Sequence, residues 1–429
     1  MVPSPVPTEA RRACGALKTL SFVLALALFG CAGQLPPPPR AEPAAPAVPA
    51  DRERVRGEPA AMPPYVESWL RQTPAEPGDI ALLLPLSGSL AGAAQAVRDG
   101  FLARHFAAGA AEPVRVYDVG DGPEHLLAAY QRALNDGASF IVGPLRKEGV
   151  VQLASMSPPL PVIGLNYVDS GVYVPFNFYQ LGLAPEDEAR AAADDAGSRG
   201  LRRAVALVPE SDWGARVLAA LDERLRQWGG AVVAEARYRQ GVSDQSDAIA
   251  ALMGVAASEE RHRELTRVLG VRTQFEARRR GDIDFVFLGA RSADARVLLP
   301  QLRFYRATGL PHYATSLVYD GRPDRELAGL RFCDMPFMLA AAGDWAQERA
   351  LATQLSAVAS YPRLYALGRD AYQLATSLQS GRLRVGDALD GASGRLEWAG
   401  SSALLRRLDC VEMQADGLVP TFQPAYTGP

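Results

Sequence analysis

The sequence predicts an α/β protein built on doubly wound parallel sheets, and three observations lead to that prediction. Ile80–Leu84 is an uninterrupted apolar run, typical of a central parallel strand covered on both faces. A polar turn and a helix follow, and Ala94, Val97 and Phe101 put one apolar stripe on that helix. The chain has 429 residues, 48% of them hydrophobic, which is too long for one ordinary domain. We therefore expect two lobes.

Strand-like and helix-like segments alternate in chain order after this opening unit. In the first series, strands are predicted at 80–84, 114–117, 140–142 and 162–165, with helices at 124–135 and 147–155. A second series has predicted strands at 204–208, 231–238 and 284–288. The helix predicted at 293–305 contains Pro300, which should kink or split it. The two series are the expected cores of the two lobes.

Residues 259–280 form an arginine-rich amphipathic insertion between elements that would otherwise connect directly. The pattern predicts a surface helix. Its charges fit two interpretations, a solvated face or a docking surface for a partner.

The N-terminus has the pattern of a targeting segment. Arg11, Arg12 and Lys18 precede an apolar run at 20–29, which is about half the length that a membrane-spanning helix needs. The run ends in Leu-Phe-Gly-Cys at 28–31, which resembles the lipobox of bacterial lipoproteins. We expect a lipoprotein signal peptide at 1–30 and lipidation of Cys31, with palmitate among its acyl groups. The alternative is a plain secretory signal with a chance cysteine.

The segment after the lipobox predicts where the protein is anchored and how far it reaches. Ala32 is not acidic, and in lipoproteins of this kind that favours the outer membrane, facing the periplasm. Residues 31–64 are rich in proline and alanine and are predicted to be a tether, followed by a short helix and linker at 65–77. Polyproline chain extends by about 3 Å per residue, so this tether could reach on the order of 90 Å.

Composition and motifs argue against nucleic-acid binding and against catalysis. The net charge of −3 lacks the basic excess that a phosphate-tracking surface needs. The four histidines have no metal-ligand spacing, and nucleotide-binding glycine motifs do not occur in the sequence. Ser87 has no identifiable histidine base. We therefore expect no metal, no cofactor and no enzymatic activity.

Four cysteines occur in the chain. Cys14 lies in the predicted leader and Cys31 is the predicted lipidation site, so Cys333 and Cys410 remain for the mature domain. In an oxidising periplasm such a pair favours a disulfide, and two buried free thiols are the alternative.

Polar and aromatic residues follow several predicted strands, where ligands bind in open α/β sheets. The candidate cleft residues are Ser87, Gly88, Pro144, Asn166, Tyr167, Asp212 and Trp213. Aromatic rings beside hydrogen-bonding groups suit a small polar ligand or a peptide. Each residue taken singly also fits a simple turn.

Several longer segments together resemble one family, the penicillin-binding-protein activator lipoproteins of the LpoA or LppC type. The matching segments are IALLLPLSG with AVRDGF, IVGPLRKEGV at 141–150, FYQLGLAPEDEA at 178–189, VPESDWGAR at 208–216, DIDFVFLGA at 282–290, HYATSLVYDG at 312–321 and GLRFCDMPFML at 329–339. The resemblance extends from about Tyr65 to Met413 in collinear order. Longer family members carry a helical domain where this sequence has only the tether and the short helix.

The resemblance implies a type I periplasmic-binding-protein-like fold, in which two lobes are joined by three crossings. Transferred to this sequence, lobe one is 78–182 plus 334–385, and lobe two is 183–333 plus 386–425. Cys333 and Cys410 then fall in the same lobe. The implied function is that of an outer-membrane lipoprotein that binds a class A penicillin-binding protein and activates its transpeptidation. The alternative is a periplasmic solute receptor that binds an amino acid or a muropeptide in its cleft.

Overall fold

The computed structural model describes residues 78–110, 112–169 and 171–421. The predicted signal peptide, the lipidation site Cys31, the tether at 31–64 and the segment at 65–77 lie outside the described residues. In the part of the chain that is described, no helix is long and apolar enough to cross a membrane.

Within the described residues, the first sheet has five parallel strands in the order β2-β1-β3-β4-β5. They are β1 (Ile80–Leu84), β2 (Val114–Asp118), β3 (Phe140–Val142), β4 (Val162–Gly164) and β5 (Phe178–Gln180). Ile80 and Leu82 on β1 pack into one hydrophobic core, and Ala81 and Leu83 pack into another. The central strand is therefore covered on both faces, as its apolar run predicts.

Helices α1 (Ala91–Ala107), α2 (Pro123–Asn135) and α3 (Lys147–Ser155) connect these strands. The predicted stripe on α1 is confirmed, because Ala94, Val97 and Phe101 are fully buried. The strand–turn–helix unit at the start of the described chain thus forms as the sequence indicates.

The second sheet begins after β5, where the chain enters α4 (Pro185–Ser198). Its first strands are β6 (Arg203–Pro209), β7 (Ala231–Tyr238), β8 (Phe285–Leu288), β9 (His312–Ala314) and β10 (Leu330–Asp334), all parallel. The helices in this part are α5 (Asp212–Gln227), α6 (Ser246–Leu252), α7 (Val255–Leu269) and α8 (Ser292–Leu302).

The chain then returns to the first sheet through α9 (Pro336–Leu339), α10 (Asp344–Ala352), α11 (Ser356–Ser360) and α12 (Pro362–Gln379). Helix α12 packs along α1, so it belongs with the first sheet. A small antiparallel sheet follows, made of β11 (Ala388–Asp390), β12 (Arg395–Glu397) and β13 (Leu405–Arg407). Its Leu396 shares a buried core with Ile80, although the transferred layout assigns residue 396 to lobe two.

Strands β14 (Asp409–Met413) and β15 (Leu418–Pro420) add to the second sheet in antiparallel orientation. For the described chain this gives the order β15-β14-β10-β9-β8-β6-β7. The chain therefore passes between the two sheets three times, as a type I periplasmic-binding-protein-like fold requires. The residues at which one lobe ends and the other begins stay a prediction.

Two helices differ from the sequence-based expectation. Helix α8 runs through Pro300 and ends at Leu302, and the break comes at Tyr305 and Arg306, where Arg306 has a φ of 71°. Helix α7, the helix of the insertion, begins at Val255, before the predicted start at residue 259, and ends before Gly270, whose φ of 67° favours glycine. The predicted surface helix thus forms only the first part of the insertion, and 271–280 have no regular secondary structure.

Candidate functional site

The turn after β1 is held by an aspartate at the end of β2. Asp118 Oδ1 accepts hydrogen bonds from the backbone N–H groups of Leu86 (2.9 Å), Ser87 (3.2 Å) and Gly120 (2.9 Å). Burial alone would raise the pKa of Asp118, but these bonds and one from the Ser87 side chain outweigh it and lower that pKa. The donor groups of the predicted cleft residue Ser87 are therefore already bonded to Asp118.

A second carboxylate, that of Asp121, lies against the turn just before α1. It accepts from the Ser89 backbone N–H at 3.0 Å and forms an ion pair with Arg146, which also donates to Ser89 Oγ at 2.6 Å. The Ser89 N–H bond, with the Arg146 contacts, lowers the pKa of Asp121. A Cβ on Gly88, whose φ is +87°, would lie 2.1 Å from Asp121 Oδ2, so this approach requires glycine.

The N-terminus of a helix attracts anions because its first N–H groups have no partner within the helix. In this protein the anion beside the N-terminus of α1 is Asp121, a side chain of the same chain. An anionic ligand group would have to displace that carboxylate from Ser89 and Arg146.

The other candidates on the first sheet are also bonded internally. The Pro144 carbonyl accepts from Leu165 N–H at 3.0 Å, and Asn166 Nδ2 donates to the Leu145 carbonyl at 3.2 Å. The Tyr167 hydroxyl donates to the Leu404 carbonyl at 3.2 Å, and burial raises the pKa of Tyr167 to about 12. These bonds join the turns after neighbouring strands to each other and, through Tyr167, to residue 404.

Asp212 and Trp213 begin α5, at the end of β6 in the second sheet. Ser211 caps this helix by accepting from Gly214 N–H at 3.2 Å, Asp212 is exposed, and Trp213 is half-buried against the core of the second sheet. The structure thus brings Ser87, Gly88, Pro144, Asn166 and Tyr167 to one edge of the first sheet. That Asp212 and Trp213 line one cleft with them stays a prediction.

A polar network that the sequence did not reveal lies where the chain passes between the sheets. Glu188 near the start of α4 accepts from the Ser316 N–H at 2.7 Å and from the Ser316 hydroxyl at 2.8 Å. Arg363 on α12 donates to the Ser316 carbonyl at 3.1 Å and pairs with the buried Asp334 at the end of β10. The network therefore joins four segments of the chain, which are α4, the turn after β9, the end of β10 and α12.

Two further buried charged groups contact or belong to the small sheet that precedes the third passage. Asp370 on α12 accepts from the N–H groups of Ala392 and Ser393, each at 2.7 Å. Burial raises the pKa of Asp370 to about 6, although these hydrogen bonds act against the rise. Arg406, only 6% exposed, lies 3.4 Å from the carboxylate of Asp187 on α4. Buried charged side chains thus lie near all three passages between the sheets.

Replacing Glu188 with glutamine should remove a pH dependence of stability. Burial, then the negative charge of Asp334, raise the pKa of Glu188 from 4.5 to about 7, while Arg363 and Arg406 act in the opposite direction. The folded protein therefore holds this proton more tightly than the unfolded chain, and its stabilising effect is lost as the pH rises from about 4.5 to 7. At about 1.4 kcal/mol per pKa unit, the loss is at most about 3.5 kcal/mol.

Urea unfolding between pH 4 and pH 8 measures this effect. Wild type should lose more free energy of unfolding across that range than Glu188→Gln does. The matched control is Glu148→Gln, at an exposed glutamate in the first turn of α3, which should keep the wild-type slope. Equal slopes for wild type and Glu188→Gln would contradict the assignment.

Asp118 and Asp121 follow the strand predicted at 114–117, just as the predicted cleft residues follow other strands. Including every polar residue that follows a predicted strand would therefore have found these two. No local sequence pattern indicated the other contacts, because they join segments far apart in sequence. They are the contacts of Glu188, Asp334, Arg363 and Arg406. Across 78–110, 112–169 and 171–421, histidine, cysteine and acidic side chains form no cluster that could hold a metal ion.

Comparison with known proteins assigns the family. The profile described as "LppC putative lipoprotein" matches residues 58–415. A curated relative from Vibrio antiquarius (strain Ex25), named penicillin-binding protein activator LpoA, is 27% identical over 374 residues. That alignment covers 83% of this chain and 61% of the relative, so the chain spans about three fifths of the relative's length.

Two solved structures share the fold. The LpoA (YraM) C-domain from Haemophilus influenzae, titled a regulator of PBP1A, has a TM-score of 0.60 at 22% identity, covering 80% of this chain and 99% of that one. This likeness shows the fold alone. A structure titled "putative branched-chain amino acid ABC transporter" from Chromobacterium violaceum has a TM-score of 0.57 at 26% identity, with coverage of 78% and 99%. Because the profile match covers most of the sequence, this chain belongs to the LppC lipoprotein family.

Proposed function

We propose that this protein binds a class A penicillin-binding protein, a bifunctional peptidoglycan synthase, and activates its transpeptidation. In this proposal Cys31 anchors the chain in the outer membrane, the tether at 31–64 extends it into the periplasm, and the two lobes form the binding part. The protein performs no catalysis of its own. Support comes from the family and from relatives named as activators, such as the one that aligns with 83% of this chain.

The observation that favours an activator over a solute receptor is that the protein's own carboxylates use the donors at the edge of the first sheet. Asp118 accepts from Ser87, and Asp121 accepts from Ser89 and Arg146. A receptor needs such donors directed at a ligand, since a few placed polar groups give its pocket orientation and specificity. An activator needs only an outer surface that is complementary to its partner protein. Internal hydrogen bonds at the edge of the first sheet leave such a surface unaffected.

Reconstitution tests this proposal. The full-length lipoprotein in detergent, added to a class A penicillin-binding protein with lipid II, should raise the fraction of cross-linked peptides. The same lipoprotein without the synthase should leave lipid II unchanged. A synthase whose cross-linking is the same with and without the lipoprotein would refute the proposal.

A solute receptor is the second candidate, favoured by the likeness to the Chromobacterium violaceum structure with its transporter title. Calorimetric titration with branched-chain amino acids and with muropeptides tests it directly. Micromolar or tighter binding, together with unchanged cross-linking in the reconstitution, would support the receptor.

The anchor is tested by replacing Cys31 with serine. A protein with several acyl chains binds a membrane firmly, whereas an unacylated protein lacks this anchor. The variant should leave the outer-membrane fraction and lose acylation. Cys14→Ser is the matched control, because Cys14 lies in the predicted leader and its loss should leave fractionation unchanged. An acylated, membrane-bound Cys31→Ser protein would disprove the assignment.

A further inference from the structure

Helix α7 and the rest of the insertion form an arm, residues 255–280, that is attached to the second sheet at its base. Val255 is buried in the core of that sheet. Two hydrogen bonds close the base, from Arg280 N–H to the Met253 carbonyl at 2.9 Å and from Arg278 N–H to Ser258 Oγ at 3.2 Å. Beyond Ser258 most residues of the arm are exposed, so its outer part adds little to the core.

Large apolar side chains are concentrated on this outer part. Leu265 is 49% exposed, Val268 70%, Leu269 52% and Val271 58%. We call these four residues the apolar row. The first three are spaced by three and four residues, which places them on one face of α7. Contiguous exposed apolar surface on a soluble protein marks an interaction site more often than scattered single residues do.

The charge of the arm indicates the kind of partner. It contains seven arginines and four glutamates, a net charge of +3 in a chain whose net charge is −3. Arg263 and Arg267 pair with glutamates one helical turn away. Among the described residues, the exposed Arg261 and Arg272 have no carboxylate within ion-pair distance, so their charges are available to an acidic partner.

The same surface is poorly suited to two other occupants. In a symmetric dimer the arm would face its own copy, and two surfaces of net charge +3 would repel each other. Against an anionic membrane, Glu260 and Glu264 would be unfavourable, because they line the same shallow depression as Leu265 and Val268. A protein surface can instead provide both an apolar patch and acidic side chains.

We propose that the arm is the docking surface for the penicillin-binding protein, and that its apolar row and free arginines contact an acidic, partly apolar surface of that partner. This inference rests on the proposed function. Burial of the apolar row slows dissociation of the complex. The positive charge of the arginines speeds association.

The test compares two double variants matched in residue type. Val268→Ser with Leu269→Ser removes half of the row. Val385→Ser with Leu351→Ser, at side chains 62% and 67% exposed outside the arm, is the control. Binding to the purified synthase is measured by surface plasmon resonance, and cross-linking is measured with lipid II. The arm variant should bind at least tenfold more weakly, mainly through faster dissociation, and should need at least tenfold more protein for half-maximal stimulation. The control should match wild type.

Charge is tested separately with Arg261→Glu combined with Arg272→Glu. Association should slow several-fold at low salt, and its dependence on salt should become weaker than that of wild type. Thermal unfolding should be unchanged for both arm variants, because the replaced side chains are exposed.

The outcomes separate this inference from the proposed function. If wild type does not stimulate the synthase, the proposed function fails. If wild type stimulates and the arm variants stimulate equally well, only the docking inference is overturned. It is also overturned if the arm variants keep synthase binding but lose self-association in sedimentation, or lose binding to vesicles that contain phosphatidylglycerol.

Discussion

Replacing Gly100 with alanine is expected to destabilise the protein by about 3 kcal/mol, as overpacking of a close contact does. Helix α1 crosses α12 at this glycine, and a Cβ on Gly100 would lie 1.9 Å from the carbonyl oxygen of Tyr365. The contact is reciprocal, because a Cβ on Gly368 of α12 would lie 1.9 Å from the Val97 carbonyl oxygen. Both contacted atoms are backbone carbonyl oxygens, which cannot rotate away as a side chain can. The clash can therefore be removed only if the two helices separate.

Chemical unfolding of Gly100→Ala and Gly368→Ala measures this effect. Alanine in a helix is intrinsically better than glycine by about 1 kcal/mol, so a net loss would be due to the crossing itself. The double variant should lose less than the two single losses combined, since one separation of the helices relieves both clashes.

The matched control is Gly92→Ala in the same helix. A Cβ there meets only the ring of Tyr361, at 3.2 Å, and that ring is 44% exposed and can move. Its free energy of unfolding should stay within about 1 kcal/mol of wild type, because only helix propensity and a small ring shift are involved. Equal losses at Gly92 and Gly100 would show that the close crossing is not the cause.

Replacing Cys333 and Cys410 with alanine is expected to cost about 4.5 kcal/mol of unfolding free energy. The structure joins these residues, which lie directly opposite each other on the antiparallel strands β10 and β14, in a disulfide. A cross-link over a sequence separation of 77 residues restricts the unfolded chain, and the loop-entropy relation gives a stabilisation of that size.

Urea midpoints with and without reductant measure the effect of the bridge. Reduction should lower the midpoint of wild type to near that of the double variant, and should leave the variant's midpoint unchanged. The Gly92→Ala protein keeps both cysteines and should respond to reductant as wild type does. Two thiols that alkylate in unreduced, unfolded wild-type protein would show that the bridge is absent.

Local patterns predicted a large part of the fold. The apolar run at 80–84 predicted the central strand, because a strand covered on both faces is apolar at every position. The stripe of Ala94, Val97 and Phe101 predicted the buried face of α1, because burial on a helix repeats with its period. Strand β7 and helix α3 have the predicted bounds. The end of α8 was harder to predict, since Pro300 is accommodated within the helix and the break depends on the conformation of Arg306.

The sequence by itself determined the α/β class, the two series of strands and helices, and the family, because those features depend on side-chain periodicity and on contiguous motifs. Tertiary structure alone decided that Asp121 would bond to Ser89 just before α1, that Glu188 and Arg363 would meet at Ser316, and that Gly100 and Gly368 would face each other's helices. Each of these contacts joins segments separated by tens to hundreds of residues. Their formation depends on how the two sheets and the returning helix α12 pack, which no local pattern records.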